Sequence, residues 1–305
     1  MTQNSNQSEV DRKLAKSLTA DTPELIPYLP YLLKDLWELG LSPEDMQSLI
    51  EENLPSPSRL HVIDFGCGKG AVPIHLARTL GCHVKGIDLM PEFIEEAQFQ
   101  AKANGVEILC EFVIEDINHA VLVERNYDVA ILDAIGDVIG TPAETIRMVR
   151  HAVKENGFLL INDAFKLEAD PSDANESSEF GKQILKESRI MKGPVVKGAS
   201  AIEIPIEKLD SPYLTYDEWV ALFEYEGLEV VEDLLTDAHA FFEFNQQQIS
   251  LIKVRVEELK MLNPDKTVLF DGFLKHKEEV FSQEEPLQGI TWLLRKKQFI
   301  PSRYL

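Results

Sequence analysis

Residues His61–Ala77 read HVIDFGCGKGAVPIHLA. An apolar run rich in β-formers comes first, glycine then recurs at every second position (Gly66, Gly68, Gly70), and apolar residues at helical spacing follow. Glycines directly after a strand let the chain turn sharply and let a ligand lie on bare backbone. The helix that begins there aims its free N–H groups and the positive end of its dipole at the same spot. A second strand, HVKGIDL, ends at Asp88, 20 residues after Gly68. A carboxylate at that place can accept hydrogen bonds from both hydroxyls of a ribose. Strand, glycines and spaced acid together indicate a bound nucleoside, against the plainer reading of a tight turn and nothing more.

The glycine run also fits the dinucleotide pattern G-x-G-x-x-G/A through Gly66, Gly68 and Ala71. Three features oppose a pyrophosphate cofactor. Asp64, just before the first glycine, would repel a diphosphate but suits a cofactor carrying an ammonium or sulfonium group. Glu115-Asp116 follow the third strand, where an acid can accept from the amine of an adenine and the next backbone N–H can donate to its ring. After the fifth strand the chain closes with helix, strand, helices and strand.

Outward from this unit, strands and helices alternate. EILCEFVI, YDVAILDA and FLLINDAF read as the third to fifth strands; PEFIEEAQFQAKANG, NHAVLVER and TPAETIRMVRHAVKENG read as helices, the last with Thr141 as N-cap and Pro142 at its first position. That alternation predicts an α/β, doubly wound, mostly parallel sheet with helices on both faces. Later come an amphipathic helix capped by Thr215, a strand LEVVEDLL, two longer helices at Gln246–Lys260 and Lys266–Phe281, and a closing strand GITWLLRKK. Residues 1 to about 20 are polar and are expected to be mobile. Leu29, Leu32, Leu33, Leu36 and Leu39 predict one helix, and Ser42-Pro43 start a second.

These motifs resemble those of the class I, Rossmann-like S-adenosylmethionine-dependent methyltransferases. VIDFGCGKG matches the family's glycine-rich motif D-x-G-x-G-x-G, GIDL the acid after the second strand, IEDI the acidic stretch after the third, and YDVAILDAIG and GFLLINDAF the fourth and fifth strands. The likeness is good over residues 58–165 and poor before 55 and in 166–212 and 237–285. It implies a seven-stranded sheet with the last strand antiparallel. It also implies S-adenosylmethionine as cofactor, with S-adenosylhomocysteine as product, and roles for single residues. Gly66, Gly68 and the Cys67 backbone would border the methionine part, and Asp64 would hold its amino group. Asp88 would bind the ribose, and Leu89 and Met90 would pack on the adenine, where plain core packing explains them equally well. Asp116 and the Ile117 amide would read the adenine edge. Asp133 and Ala134 would face the methionine and methyl groups.

The motifs leave the acceptor open, because a sulfonium is already a strong electrophile and the protein mainly aligns the partners. His239 in TDAHAFFEF, beside Phe241, Phe242 and Phe244, and Tyr213 are the catalytic candidates; His119 and Tyr216 are also placed near the expected site. Asp133 with Asn162-Asp163 raises an Mg²⁺ hypothesis, but the Asn-Asp order reverses that of catechol-type methyltransferases, so no metal is expected. Residues 1–57 are expected to form a helical cap on a methyltransferase domain at 58–305, with the insertions at 166–212 and 237–285 covering a small-molecule site.

The chain has 305 residues, 52 acids and 30 bases, and a net charge of −22, a field that disfavours nucleic acid partners. Three cysteines form no disulfide framework and fit a cytoplasmic protein. No apolar run nears the ~20 residues that span a bilayer, and the N-terminus carries no signal-peptide core. A homodimer is compatible with the sequence, which sets no oligomeric state. Two rivals stand beside the methyltransferase reading: a non-catalytic protein that binds the same cofactor, and a nicotinamide-dependent oxidoreductase, which Asp64 and Asp116 oppose.

Overall fold

A computed structural model of the chain describes residues 2–40, 43–167, 214–281 and 287–298. A seven-stranded sheet forms its centre, in the order β3-β2-β1-β4-β5-β7-β6. The strands are β1 (His61–Phe65), β2 (His83–Asp88), β3 (Cys110–Ile114), β4 (Tyr127–Asp133), β5 (Val153–Lys166), β6 (Leu228–Leu235) and β7 (Leu287–Lys296). β1 to β5 pair in parallel, and β7 inserts antiparallel between β5 and β6. The chain order reverses between β1 and β4, so the crevice at their carboxyl ends is where an open α/β sheet takes its ligand. Asp64, Asp88 and Asp133 sit at or next to the ends of β1, β2 and β4.

Burial on both faces explains the continuous apolar runs. In β1, Val62 packs into one layer with Ile74, Leu76 and Val129, while Ile63 and Phe65 point into the other with Leu132, Trp219 and Trp292. The helices α4 (Ala71–Leu80), α5 (Pro91–Ala103), α6 (Ile117–Val123) and α7 (Pro142–Val149) connect the parallel strands. α7 begins with a capping box between Thr141 and Glu144. The helix Tyr216–Tyr225 begins with another, between Thr215 and Glu218. Thr215→Ala is expected to lower stability by about 1 kcal/mol, seen as a lower urea midpoint with an unchanged slope.

A third layer sits outside the sheet. Residues Thr2–Ser17 form a helix, α1; Pro23–Tyr28 form a 3₁₀ turn; Leu29–Leu32 form a single α turn, α2; and Pro43–Asn53 form α3. The helices Ala238–Leu262 (α9) and Thr267–Phe281 (α10) lie later in the chain, after α8 (Tyr216–Tyr225). Ile252, Val256, Phe270 and Phe273 of α9 and α10 pack against Leu25, Leu29, Leu32 and Leu33, with Ala15 of α1 and Phe93 of α5 in the same cluster.

Four expectations change. The N-terminal stretch is helical rather than mobile, because Ala15 is buried and Leu14 and Leu18 pack against this third cluster. The leucine-rich stretch after it is a 3₁₀ turn and one α turn rather than a long helix; Pro27 and Pro30 each remove an N–H donor. α7 stops at Val149 instead of running on, since Ala152 and Val153 are buried and Val153 already pairs with Tyr127. α9 starts at Ala238 rather than at Gln246, so the aromatic stretch after β6 is helical. Ser42, Tyr213 and nearly all of the 166–212 insertion lie outside the described residues.

Candidate active site

The glycine turn is held from two sides. The Gly66 and Cys67 N–H groups both donate to the Ile87 carbonyl, at 2.8 and 2.9 Å. The Gly68 N–H donates to Asp88 Oδ2 at 2.9 Å, and the Met90 N–H to Asp88 Oδ1 at 2.8 Å. Asp88 thus ties the turn to the end of β2 while its remaining lone pairs stay available to a ligand. Gly66 has φ +84°, and a Cβ there would meet Ile135 Cγ2 at 2.8 Å. Backbone conformation and close approach both require glycine at this position.

One cavity of about 1020 Å³, including its mouth, opens on this turn. Its floor and sides include Asp64, Gly66, Cys67, Gly68, Asp88, Leu89, Asp116, Ile117, Asp133 and Ala134, so ten of the residues singled out in the sequence converge. Asp64 is 1% exposed, and its Oδ1 has no hydrogen-bond partner. Burial, then the carboxylates of Asp133 and Asp88, push its carboxyl well above the usual range. Burial also raises Asp88, against the pull of the backbone N–H groups of Met90, Gly68 and Leu89. A buried carboxyl oxygen with no donor, among further acids, is a site for a cation.

At the far end, Asp116 caps α6: its Oδ1 accepts from the Asn118 N–H and Nδ2, each at 2.9 Å. At the end of β4, Ala134 adopts φ +52° while donating its N–H to the Asn162 carbonyl at 3.2 Å. A left-handed alanine costs about 1 kcal/mol, and strain of this kind gathers at functional sites. Ala134→Gly should therefore raise the apo protein's stability by about 0.5–1 kcal/mol, checked by thermal melting. Gly40 approaches Asp133 so closely that a Cβ would lie 2.1 Å from Asp133 Oδ2.

The roof comes from residues outside the glycine motif. Val10 and Leu14 of α1, Leu18 just after it, and Trp37 and Leu39 line the same cavity. In the sequence Lys69 reads as a spacer between glycines. Its side chain is buried, and Nζ donates to the Leu33 carbonyl and, at 2.7 Å, to that of Leu36. Burial lowers its ammonium to about 8. The glycine loop thereby grips the N-terminal segment. α9 braces that segment from outside: Gln248 Nε2 donates to the Glu38 carbonyl at 3.0 Å, Tyr31 Oη donates to Glu258 at 2.7 Å, and Arg255 pairs with Asp35. Neither α9 nor α10 contributes a residue to the lining of this cavity. Lys69→Met leaves two carbonyls without a donor; a loss of about 2 kcal/mol in urea unfolding is expected.

Other candidates fall elsewhere. Met90 is buried beside Phe93 in the third core cluster and does not line the cavity, so its contribution here is its backbone N–H on Asp88. His239 lies in the first turn of α9, 3.4 Å from Glu243 and largely exposed, and lines neither this cavity nor the next. The helical start after β6 carries it there. Phe241 and Phe242 are exposed with it. His119 pairs with Glu115, and Tyr216 Oη donates to Asp233 at 2.6 Å. Asn162 Nδ2 donates to Thr291 Oγ1 at 2.7 Å. Among the described residues no three His, Cys, Asp or Glu side chains are grouped to hold a metal ion, and no helix is long and apolar enough to cross a membrane. A second cavity, of about 790 Å³ with its mouth, lies beyond Ile135 at the ends of β4 and β5.

Comparison with known proteins agrees with this geometry. Residues 56–227 match the family described as "Methyltransferase domain". Norajmaline N-methyltransferase of Rauvolfia serpentina is 27% identical over 133 residues, 43% of this chain and 45% of that protein. Ubiquinone biosynthesis O-methyltransferase of Rickettsia conorii is 35% identical over 107 residues, 34% of this chain and 35% of that protein. The matched part spans less than half the length of either relative. In fold, the chain is similar to an S-adenosylmethionine-dependent methyltransferase of Geobacter sulfurreducens, crystallised with S-adenosylhomocysteine: TM-score 0.65 and 19% identity over 89% of this chain and 98% of that one. The family match covers more than half of the chain, the strand order and glycine turn accord with it, and the protein is a member of the class I, Rossmann-like S-adenosylmethionine-dependent methyltransferase family.

Proposed function

We propose that the protein transfers a methyl group from S-adenosylmethionine to a small-molecule acceptor. The observation that carries this reading is the Asp64 Oδ1 atom, buried at the floor of the cavity with no donor from the protein. The residues fit the cofactor. Asp64 would take its ammonium group, Asp88 its ribose hydroxyls, Asp116 and the Ile117 N–H its adenine edge, and Leu89 would pack on the ring. Asp133 and Ala134 would border the methionine chain.

When bound, S-adenosylmethionine supplies a methyl group on a sulfonium, open to in-line displacement. The chain's own contribution is orientation and exclusion of water. Asp88 fixes the turn on which the ligand lies, and α1 with Trp37 and Leu39 closes the roof. The covered cavity favours a small acceptor over a flat macromolecular one, and the net charge of −22 disfavours nucleic acid. Cys67, Cys82 and Cys110 are free thiols, in keeping with a cytoplasmic protein.

The relatives named above act, by their names, at nitrogen and at oxygen. Calorimetric titration with S-adenosylmethionine, S-adenosylhomocysteine and NAD tests the cofactor. Micromolar binding of the sulfur compounds and none of NAD is expected, and the converse would overturn the reading. A methyl-transfer screen over a metabolite panel, detecting S-adenosylhomocysteine, separates an enzyme from a non-catalytic binder.

A further inference from the structure

We propose that the second cavity is the acceptor subsite, that the acceptor is a small amine entering as its ammonium ion, and that Asp163 holds this group and takes its proton. The inference deepens the methyltransferase reading and rests on it. Ile135 lines both cavities, and Leu132 of the second is followed directly by Asp133 of the first. An occupant of the second cavity therefore sits beside the strand end expected to face the transferable methyl.

The second cavity's charge selects the occupant. Its walls are largely apolar, with Leu132, Ile146, Ile161 and Trp219 among them. The charged side chains facing it are Lys16, Asp137 and Asp163. Lys16 and Asp137 pair at 2.6 Å and offset each other. Asp163 Oδ1 accepts the N–H of its own neighbour Ala164 at 2.7 Å, and no cation of the described residues pairs with it. Burial lifts its carboxyl to about 6, so it is ionised at neutral pH. Among the described residues Asp163 is thus the carboxylate of this apolar-walled cavity without a cation to offset it, and such a group attracts an ammonium ion and repels carboxylates and phosphates.

An ammonium nitrogen has no free electron pair, so one proton must leave before it can attack. Transfer from R–NH₃⁺ to the Asp163 carboxylate gives R–NH₂ and a neutral carboxylic acid, and low polarity favours loss of both charges. The freed nitrogen pair then forms the N–CH₃ bond as the C–S bond breaks and its electrons pass to sulfur. The product is R–NH₂⁺–CH₃, and Asp163 carries one proton to be released to water.

The test is calorimetry on the full chain saturated with S-adenosylhomocysteine. Benzylamine, 2-phenylethylamine and butylamine are each compared with the matching alcohol and carboxylate. At least one amine should bind ten or more times tighter than its alcohol, with the carboxylates weakest. Asp163→Asn, and Asp163→Ser as a second variant, should weaken that amine at least tenfold while leaving S-adenosylhomocysteine affinity within about twofold. Alcohols or carboxylates binding as well as amines, no amine binding at all, or unchanged amine affinity in both variants would overturn the subsite. Failure of S-adenosylhomocysteine itself to bind the wild-type chain is a different result: it overturns the methyltransferase reading and the subsite falls with it.

Discussion

Asp88→Ala is expected to weaken S-adenosylhomocysteine binding by about 100-fold or more. The carboxylate carries two loads at once. It receives the Gly68 and Met90 N–H groups and so sets the shape of the turn, and in the proposed reading it would also accept two ribose hydroxyls. Hydrogen bonds to a charged group are worth roughly 1.5–3 kcal/mol each, and ~3 kcal/mol lost at the ribose is already a factor above 100. Asp88→Asn keeps one acceptor oxygen and should lose about tenfold. Both variants are read by calorimetry, with circular dichroism to show that the sheet persists. Wild-type affinity in Asp88→Ala would remove the ribose assignment.

Asp64→Asn should have two opposite effects. In the apo protein it replaces a buried carboxyl whose Oδ1 lacks a donor by a neutral amide and should raise stability at pH 8 by about 1–2 kcal/mol. The sign follows from the raised carboxyl. Where the folded protein holds a proton that the unfolded chain has already released, stability is lost as pH rises from the unfolded value of about 4 through the folded one. Asp163, lifted to about 6, contributes in the same direction. The wild type should therefore lose stability relative to Asp64→Asn as pH rises above about 4. Ligand binding runs the other way. An ammonium beside Asp64 lowers its carboxyl again, so binding releases a proton and wild-type affinity strengthens as pH rises through the free-state value. Titrations in buffers of different ionisation enthalpy measure that proton; none released would contradict the assignment.

Much of this site is legible in the sequence because it rests on local devices. The turn 66–70 needs glycine for a single backbone conformation, Asp88 stands at a strand end set by alternation, and Thr141 and Thr215 mark helix starts by side-chain caps. The roof was hidden for a physical reason. Leu14 and Leu18, at the end of a polar helix, are sparse apolar residues that show their purpose only once the Leu25–Leu33 segment and α9 lie against them. Lys69 was hidden likewise, since its partners are backbone carbonyls more than thirty residues away. The place of His239 was not legible because β6 ends at Leu235 and α9 begins three residues later, which puts His239 on an exposed helical turn.

The central claim is that Asp64 waits for the cationic tail of the methyl donor. The most direct measurement compares S-adenosylhomocysteine with 5′-methylthioadenosine, which shares the nucleoside and thioether but lacks the amino acid group, in wild type and Asp64→Asn. The account predicts that the substitution weakens S-adenosylhomocysteine by roughly 30-fold or more, a loss of ~2 kcal/mol, and leaves methylthioadenosine within about twofold. Equal losses for both ligands, or none for S-adenosylhomocysteine, would contradict it.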